Sequence, residues 1–167
     1  MPAYGWILKG EEKELKTNTG RQRVNLNGAL NIADHTVVVR QEDTINAEAT
    51  IRLLKDIEAK HPEAATVYCI ADNARYYRAR AVREYLARSK ITLVFLPPYA
   101  PNLNLIERLW KFFHKKTMYN RYYASYAEFQ DATKRFFNDV NRRRYADELA
   151  TLLAENFQII GTSVSES

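Results

Sequence analysis

Apolar residues recur along the chain with two periods. Over residues 23–32 (RVNLNGALNI) they alternate at Val24, Leu26 and Leu30, as in a half-buried strand. Ala33-Asp34 predicts a tight connection, and residues 35–40 (HTVVVR) are β-branched, so the two segments predict an antiparallel hairpin. Over residues 47–60 the period becomes helical, with Ile51, Leu54 and Ile57 on one face, an N-cap at Asn46 and a stop at His61-Pro62. Residues 66–71 (TVYCIA) are nearly all apolar, which predicts a strand buried on both faces. A helix over 79–89 follows, with Val82, Tyr85 and Leu86 inward, then a second apolar strand over 91–96 that Pro97-Pro98 ends. Asn104 opens a helix to about Met118, with Leu105, Ile106, Leu109, Phe112 and Phe113 as its core stripe. Ser125 and Glu128 form a capping-box pattern at the start of a helix to about Val140, with Phe129, Phe136, Phe137 and Val140 inward. A last helix covers roughly 146–156.

The order is hairpin, helix, strand, helix, strand, helices. Two apolar strands joined by a helix predict a parallel pair with a right-handed crossover, hence a mixed α/β sheet with the hairpin on one side. Ahead of the hairpin, Tyr4 and Trp6 suggest a short strand or docked segment, then a charged loop and a turn over 17–20 (TNTG). The last seven residues, 161–167 (GTSVSES), are expected to be a disordered tail.

Composition changes this picture little. A chain of 167 residues, 46% hydrophobic and 27% charged, suits one globular domain. It has no apolar run of membrane-spanning length and no signal-peptide pattern, so no membrane partner is expected and a cytoplasmic location is the default. The single cysteine, Cys69, excludes an internal disulfide and reads as a buried inert thiol.

Charge changes it more. The net charge is +5 and the pI about 9.3. Arg75, Arg78, Arg80, Arg83, Arg88 and Lys90 follow Asp72, and Arg108, Lys111, Lys115 and Lys116 follow Glu107. Either cluster alone reads as a solvated helix face. Two clusters beside two acids favour phosphate binding.

Asp72 stands where an apolar strand ends, the place where open α/β sheets gather ligands. Asp72-Asn73 reads equally well as a turn or Asx cap. Glu107 has two readings as well. Asn104 and Glu107 have capping-box spacing, and Glu107–Lys111 is an ordinary i,i+4 pair. Yet Glu107 shares a helix stripe with Leu103, Lys111 and His114, which resembles a site more than a core. Carboxylates that converge from separate elements stay ionised together if they share divalent cations, and hard oxygen ligands suit Mg²⁺ or Mn²⁺. One cysteine and three scattered histidines (His35, His61, His114) give no zinc spacing. His114 reads as a solvated helix histidine or a phosphate contact. Tyr76, Tyr77, Tyr119, Tyr122 and Tyr123 interleave with Arg75, Arg78 and Arg121; such rings stack on bases or pack against the fold.

Two of these stretches are familiar. Residues 70–78 (IADNARYYR) resemble the second-aspartate motif of the DDE transposases of the mariner superfamily, in its bacterial insertion-sequence branch. Residues 96–110 (LPPYAPNLNLIERLW) resemble the third-acid motif of the same DDE endonucleases, and the 34 residues between Asp72 and Glu107 are also characteristic. The resemblance runs from about Tyr4 to Ile160. It implies an RNase H-like catalytic domain over residues 1–160, with two Mg²⁺ (or Mn²⁺) ions in the complete site. It also implies cleavage and strand transfer of DNA at transposon ends, a nucleoid-associated role, and a homodimer as one assembly open to it. Asp72 matches the second catalytic acid and metal ligand, and Glu107 the third. Asn73, Arg75, Arg78, Arg108, Lys111, His114 and Lys115 become the candidate DNA contacts.

The chain departs from the family pattern twice. Where many members carry a proline just ahead of the third acid, this chain has Leu105. The family's first catalytic aspartate lies on a first strand, upstream of the segment that resembles Tyr4-Gly5-Trp6. That strand and the N-terminal helix-turn-helix have no counterpart here. Asp34 falls in the predicted hairpin turn, and Asp43 lies beyond the second hairpin strand. The expectation is therefore the C-terminal part of a transposase: a remnant, a second reading frame joined by frameshifting, or a chain whose start is assigned too late. The alternative is a truncated product without catalytic activity that only binds nucleic acid.

Overall fold

The computed structural model describes residues 24–97 and 104–154. The expectations for the N-terminal segment and the 161–167 tail lie outside these residues; the last helix, expected to about residue 156, ends at Leu153, with Ala154 already out of helical backbone.

Period-two alternation produces strands β1 (Asn25–Leu30) and β2 (Val37–Glu42), paired antiparallel with Leu30 opposite Val37 and Asn25 opposite Glu42. The connection is longer than predicted, and β2 starts two residues later. Asn31 Oδ1 accepts from the Ala33 N–H, and Asp34 Oδ1 accepts from the Thr36 N–H and hydroxyl, so local side-chain bonds hold residues 31–36 in a turn. His35 takes φ 57° there.

Helix α1 (Ala47–Lys60) starts at Asn46, whose Oδ1 accepts from the Ala49 N–H at 2.9 Å. It buries Leu53, Leu54 and Ile57. Strand β3 (Val67–Ala71) follows, then a 3₁₀ turn (Arg75–Arg78), α2 (Arg80–Leu86) and β4 (Ile91–Phe95). β3 and β4 pair parallel with Val67 opposite Ile91, as expected for strands joined by a helical crossover. The 3₁₀ turn was not predicted, and α2 is shorter than the expected 79–89.

α3 (Leu105–Thr117), α4 (Tyr126–Asn141) and α5 (Ala146–Leu153) complete the described chain. Ser125 Oγ accepts from the Glu128 N–H, one half of the predicted capping box, while the Glu128 carboxylate accepts from the Ala124 N–H.

Two cores result. α3, α4 and α5 pack Leu109, Phe112, Phe113, Phe136 and Phe137 against Val37 and Val39 of the hairpin. α1 and α2 pack Leu53, Leu54, Ile57 and Val82 under Ala29 and Val38 of the hairpin and under Val67, Cys69 and Ile91 of the parallel pair. α1 therefore underlies both strand pairs. Among the described residues the two pairs are separate two-stranded sheets, the antiparallel hairpin and the parallel pair of the mixed α/β fold expected.

The expectation that β3 is buried on both faces is overturned. Its Val67 and Cys69 pack against the α1/α2 core, whereas Tyr68 and Ile70 are 72% and 54% exposed. Cys69, expected buried, is half-buried; burial pushes its thiol up to about 11, so it stays protonated at neutral pH.

Glu58 joins α1 to the α2–β4 connection. Its carboxylate accepts from the Tyr85 hydroxyl, the Ser89 hydroxyl at 2.6 Å and the Lys90 N–H at 2.9 Å. Burial pushes its pKa up, but the bonds from Ser89, Tyr85 and Lys90 outweigh burial and hold it below the usual carboxylate range. A depressed folded-state pKa contributes stability that is present above the unfolded value and lost as pH falls through the folded one. Glu58→Ala is expected to cost about 2 kcal/mol near pH 7, the scale of charge-assisted hydrogen bonds. Urea unfolding across pH 3–7 should show the difference from the parent shrinking at the acid end.

Candidate metal and nucleic-acid site

Asp72 is the first residue beyond β3 and is exposed. Its Oδ1 accepts from the Ala74 N–H at 3.0 Å, so the Asx turn does form. Its Oδ2 has no hydrogen-bond partner among the described residues. The turn thus orients Asp72 and leaves one oxygen for another ligand.

Asn73 fixes this turn. Its Nδ2 donates to the Leu96 carbonyl at 2.7 Å, and its Oδ1 accepts from Arg78 Nη2 at 2.7 Å. The Arg78 guanidinium lies 5.0 Å from the centroid of the Phe95 ring. This clasp ties the end of β3 to the end of β4. Asn73→Ala is expected to cost about 1 kcal/mol, a typical net hydrogen-bond contribution, and to lower Tm by about 2–4 °C; differential scanning calorimetry checks it.

Glu107 sits exposed in the first turn of α3. Asn104 is the N-cap residue, but its side chain makes no cap hydrogen bond, so the capping box is not formed. Nor does Glu107 pair with Lys111; its carboxylate has no hydrogen bond or ion pair with any described residue. Both structural explanations for Glu107 therefore fail in this fold.

α3 is held close to the hairpin by Trp110. A Cβ on Gly28 of β1 would lie 2.9 Å from Trp110 Cη2, so the absent side chain lets the indole reach the strand. The Trp110 ring also meets Phe137 edge-on at 5.9 Å. This packing sets where the first turn of α3 stands relative to the strands.

Asp72 and Glu107 line one groove of about 880 Å³, together with Asn104, Tyr76 and Tyr77. Tyr76 and Tyr77 belong to the unpredicted 3₁₀ turn and pack ring to ring at 4.8 Å. Burial, then the charge of Asp72, push the Tyr76 phenol up; burial, Tyr76 and Asp72 push Tyr77 up further. Both remain neutral donors at physiological pH. Asn104 entered the sequence reading only as a helix cap, and nothing in the sequence marks its amide as part of the groove.

The other predicted contacts spread out from this groove. Arg75, Lys111, His114 and Lys115 are exposed and make no ion pair among the described residues. Arg78 is exposed and spends one nitrogen on Asn73. Arg108 is half-buried, and its Nη1 donates to the Leu152 and Ala154 carbonyls at 3.2 and 3.0 Å, holding the end of α5.

Among the described residues no cluster of three or more carboxylate, histidine or cysteine side chains could hold a metal ion. The donors present are Oδ2 of Asp72 and the carboxylate of Glu107. Hard, anionic and unpartnered, they fit Mg²⁺ or Mn²⁺ in chemistry, as a partial ligand set. No described helix is long and apolar enough to cross a membrane.

Comparison with known proteins gives the family and the fold. The family described as DDE superfamily endonuclease matches residues 1–130. The insertion element IS630 uncharacterized 39 kDa protein of Shigella sonnei is 26% identical over 137 residues, covering 81% of this chain and 40% of that protein. Two solved structures of the Mos1 mariner transposase share the fold. The paired-end complex with Mn aligns at a TM-score of 0.59 with 19% identity, over 89% of this chain and 48% of that one. The paired-end complex with the left transposon end aligns at 0.58 with 18% identity, over 93% and 52%. The chain thus spans about half or less of each of these proteins, and the fold is that of the mariner transposase RNase H-like catalytic domain. The match over residues 1–130 makes this chain a member of the DDE superfamily endonucleases.

Proposed function

We propose that residues 1–160 are a transposase catalytic domain in which Asp72 and Glu107 hold divalent cations for cleavage and strand transfer of DNA at transposon ends. The observation that carries this reading is that the two acids, with 34 residues between them in sequence, line one groove, each with carboxylate oxygen that no described residue engages. When bound, the cations supply Lewis-acid activation of a water or 3′-hydroxyl and stabilise the leaving oxygen. The chain's own residues do the rest. Asn73 and Arg78 hold the Asp72 turn in place. Arg75, Lys111, His114 and Lys115, exposed beyond the groove, bind phosphates of DNA that extends from it, and Tyr76 and Tyr77 offer neutral faces and hydroxyls to a nucleotide in it. Arg108 acts through the fold by holding α5 under α3.

The ligand count favours keeping a second reading. Only two carboxylates line the groove among the described residues, and two hold a cation pair weakly. In that reading the chain binds DNA without cutting it. One assay separates the two. The 167-residue chain is incubated with supercoiled plasmid in Mg²⁺ or Mn²⁺, with and without EDTA, and its DNA binding is followed from 50 to 200 mM salt. Nicking that requires the metal supports catalysis. Binding without nicking, weakening about tenfold or more over that salt range, supports the second reading. Neither nicking nor salt-sensitive binding contradicts both.

A further inference from the structure

The helix that carries Glu107 at its start ends in an exposed group of aromatic and apolar side chains. α3 stops at Thr117, and Met118, Tyr119 and Tyr122 of its connection to α4 are 42%, 60% and 51% exposed. The connection itself is fixed. Asn120 takes φ 54°, which turns the chain out of the helix, and the Tyr119 N–H donates to the His114 carbonyl at 3.0 Å. The Tyr123 hydroxyl donates to the Thr117 carbonyl, and its ring packs against Phe129 at 5.4 Å. Tyr123 therefore anchors the connection. The side chains of Tyr119 and Tyr122 have no ring or hydrogen-bond partner among the described residues.

The exposed face of α3 leads to these rings. Lys111, His114, Lys115 and Met118 follow Glu107 at helical spacing and are all exposed, while Leu105, Leu109, Phe112 and Phe113 bury the other face. The cations divide in the same way. The fold uses Arg108, which bonds carbonyls at the end of α5, and Lys116, which pairs with Glu148 at 2.8 Å. Lys111, Lys115 and, beyond the helix, Arg121 are exposed and make no ion pair among the described residues.

We infer that this end of α3 is a stacking platform for unpaired nucleotides, with Tyr119 and Tyr122 taking bases and Lys111, Lys115 and Arg121 taking the adjoining phosphates. A phenol ring stacks on any base, so the platform is tolerant of sequence. Charge selects the occupant. An apolar peptide would leave three cations beside it uncompensated. A duplex supplies phosphates but keeps its bases stacked on one another. A single strand supplies phosphates and free base faces together. At about 1.5 Å per residue, Glu107 and Met118 are about 16 Å apart along α3. A stacked strand carries one phosphate per about 3.4 Å, so about five nucleotides cover this track. The inference rests on the reading that this chain binds DNA, and it adds the form of DNA and the residues that hold it. It requires neither metal nor cleavage.

The test uses the full 167-residue chain in EDTA and fluorescence anisotropy with two labelled probes, a 20-nucleotide oligothymidine and a 20-base-pair duplex, from 50 to 200 mM salt. Tyr119→Ala/Tyr122→Ala should bind oligothymidine at least tenfold more weakly than the parent and the duplex within about twofold of it. Its salt slope should match the parent's, because no phosphate contact is lost. Both side chains are exposed, so its unfolding temperature should stay within about 2 °C of the parent's. Tyr119→Phe/Tyr122→Phe keeps the ring faces and should restore binding to within about threefold. Lys111→Ala/Lys115→Ala should instead lower the single-strand salt slope by about 1.4. Oligothymidine binding that the alanine pair leaves unchanged overturns the inference, and if salt-sensitive duplex binding persists, the DNA-binding reading stands without it. Equal losses on both probes, or no restoration by phenylalanine, also overturn it. So does self-association of the parent that the alanine pair abolishes, since a second copy then covers the rings. Binding of neither probe by the parent overturns both readings, whereas the expected pattern without metal-dependent nicking upholds the platform and removes catalysis.

Discussion

Replacing Phe113 by alanine is expected to lower the stability of the fold by about 3–5 kcal/mol, the range for emptying a large aromatic site in a packed core. Phe113 is 3% exposed. It stacks on Phe137 at 5.1 Å and meets Phe136 at 5.3 Å. Those rings come from α4, so the cavity would open between the two helices that cover the hairpin. Against a total stability of about 5–15 kcal/mol, this is a large fraction. In thermal unfolding it corresponds to a fall of about 10 °C or more. Phe113→Leu keeps most of the volume and should cost less than about 1.5 kcal/mol. Parallel urea titrations of the parent and both variants check the difference.

The second large effect concerns chemistry and leaves the fold alone. Under the proposed catalytic reading, Asp72→Asn and Glu107→Gln should each reduce metal-dependent nicking by about 10³-fold or more, because each would remove an anionic ligand and its charge while keeping its shape. Both side chains are exposed. Glu107 makes no hydrogen bond among the described residues, and the single bond of Asp72 can be made by an asparagine oxygen. Unfolding temperatures should therefore match the parent within about 2 °C. A rate loss accompanied by a large stability loss would mean that these acids support structure.

The helices were legible in the sequence because their signals are local. Asn46 caps α1 as predicted, and the Leu105, Leu109, Phe112, Phe113 stripe is the buried face of α3. The parallel pairing of β3 with β4 followed from the helix between them. What failed depended on neighbours distant in sequence. Residues 66–71 read as a strand covered on both faces because their composition is nearly all apolar, yet among the described helices only α1 and α2 pack against it, and Tyr68 and Ile70 stand exposed. The 3₁₀ turn that carries Tyr76 and Tyr77 is too short for any period. At the site, residue spacing alone left Asp72 between turn and ligand and Glu107 between cap and ligand. The structure resolves these unequally. Asp72 forms the turn and keeps a free oxygen, whereas the Glu107 capping box is absent. That Asp72 and Glu107 open onto one groove was legible through the two motifs and their separation, not through the local chemistry of either residue.

The central claim, that Asp72 and Glu107 form a shared divalent-cation site, is tested most directly by titrating Mn²⁺ into the chain and following free Mn²⁺ by electron paramagnetic resonance. The account predicts saturable uptake by the parent chain that Mg²⁺ competes away. It also predicts at least tenfold weaker uptake by an Asp72→Asn/Glu107→Gln variant with an unchanged circular dichroism spectrum. Equal Mn²⁺ uptake by the parent and the double variant would contradict it.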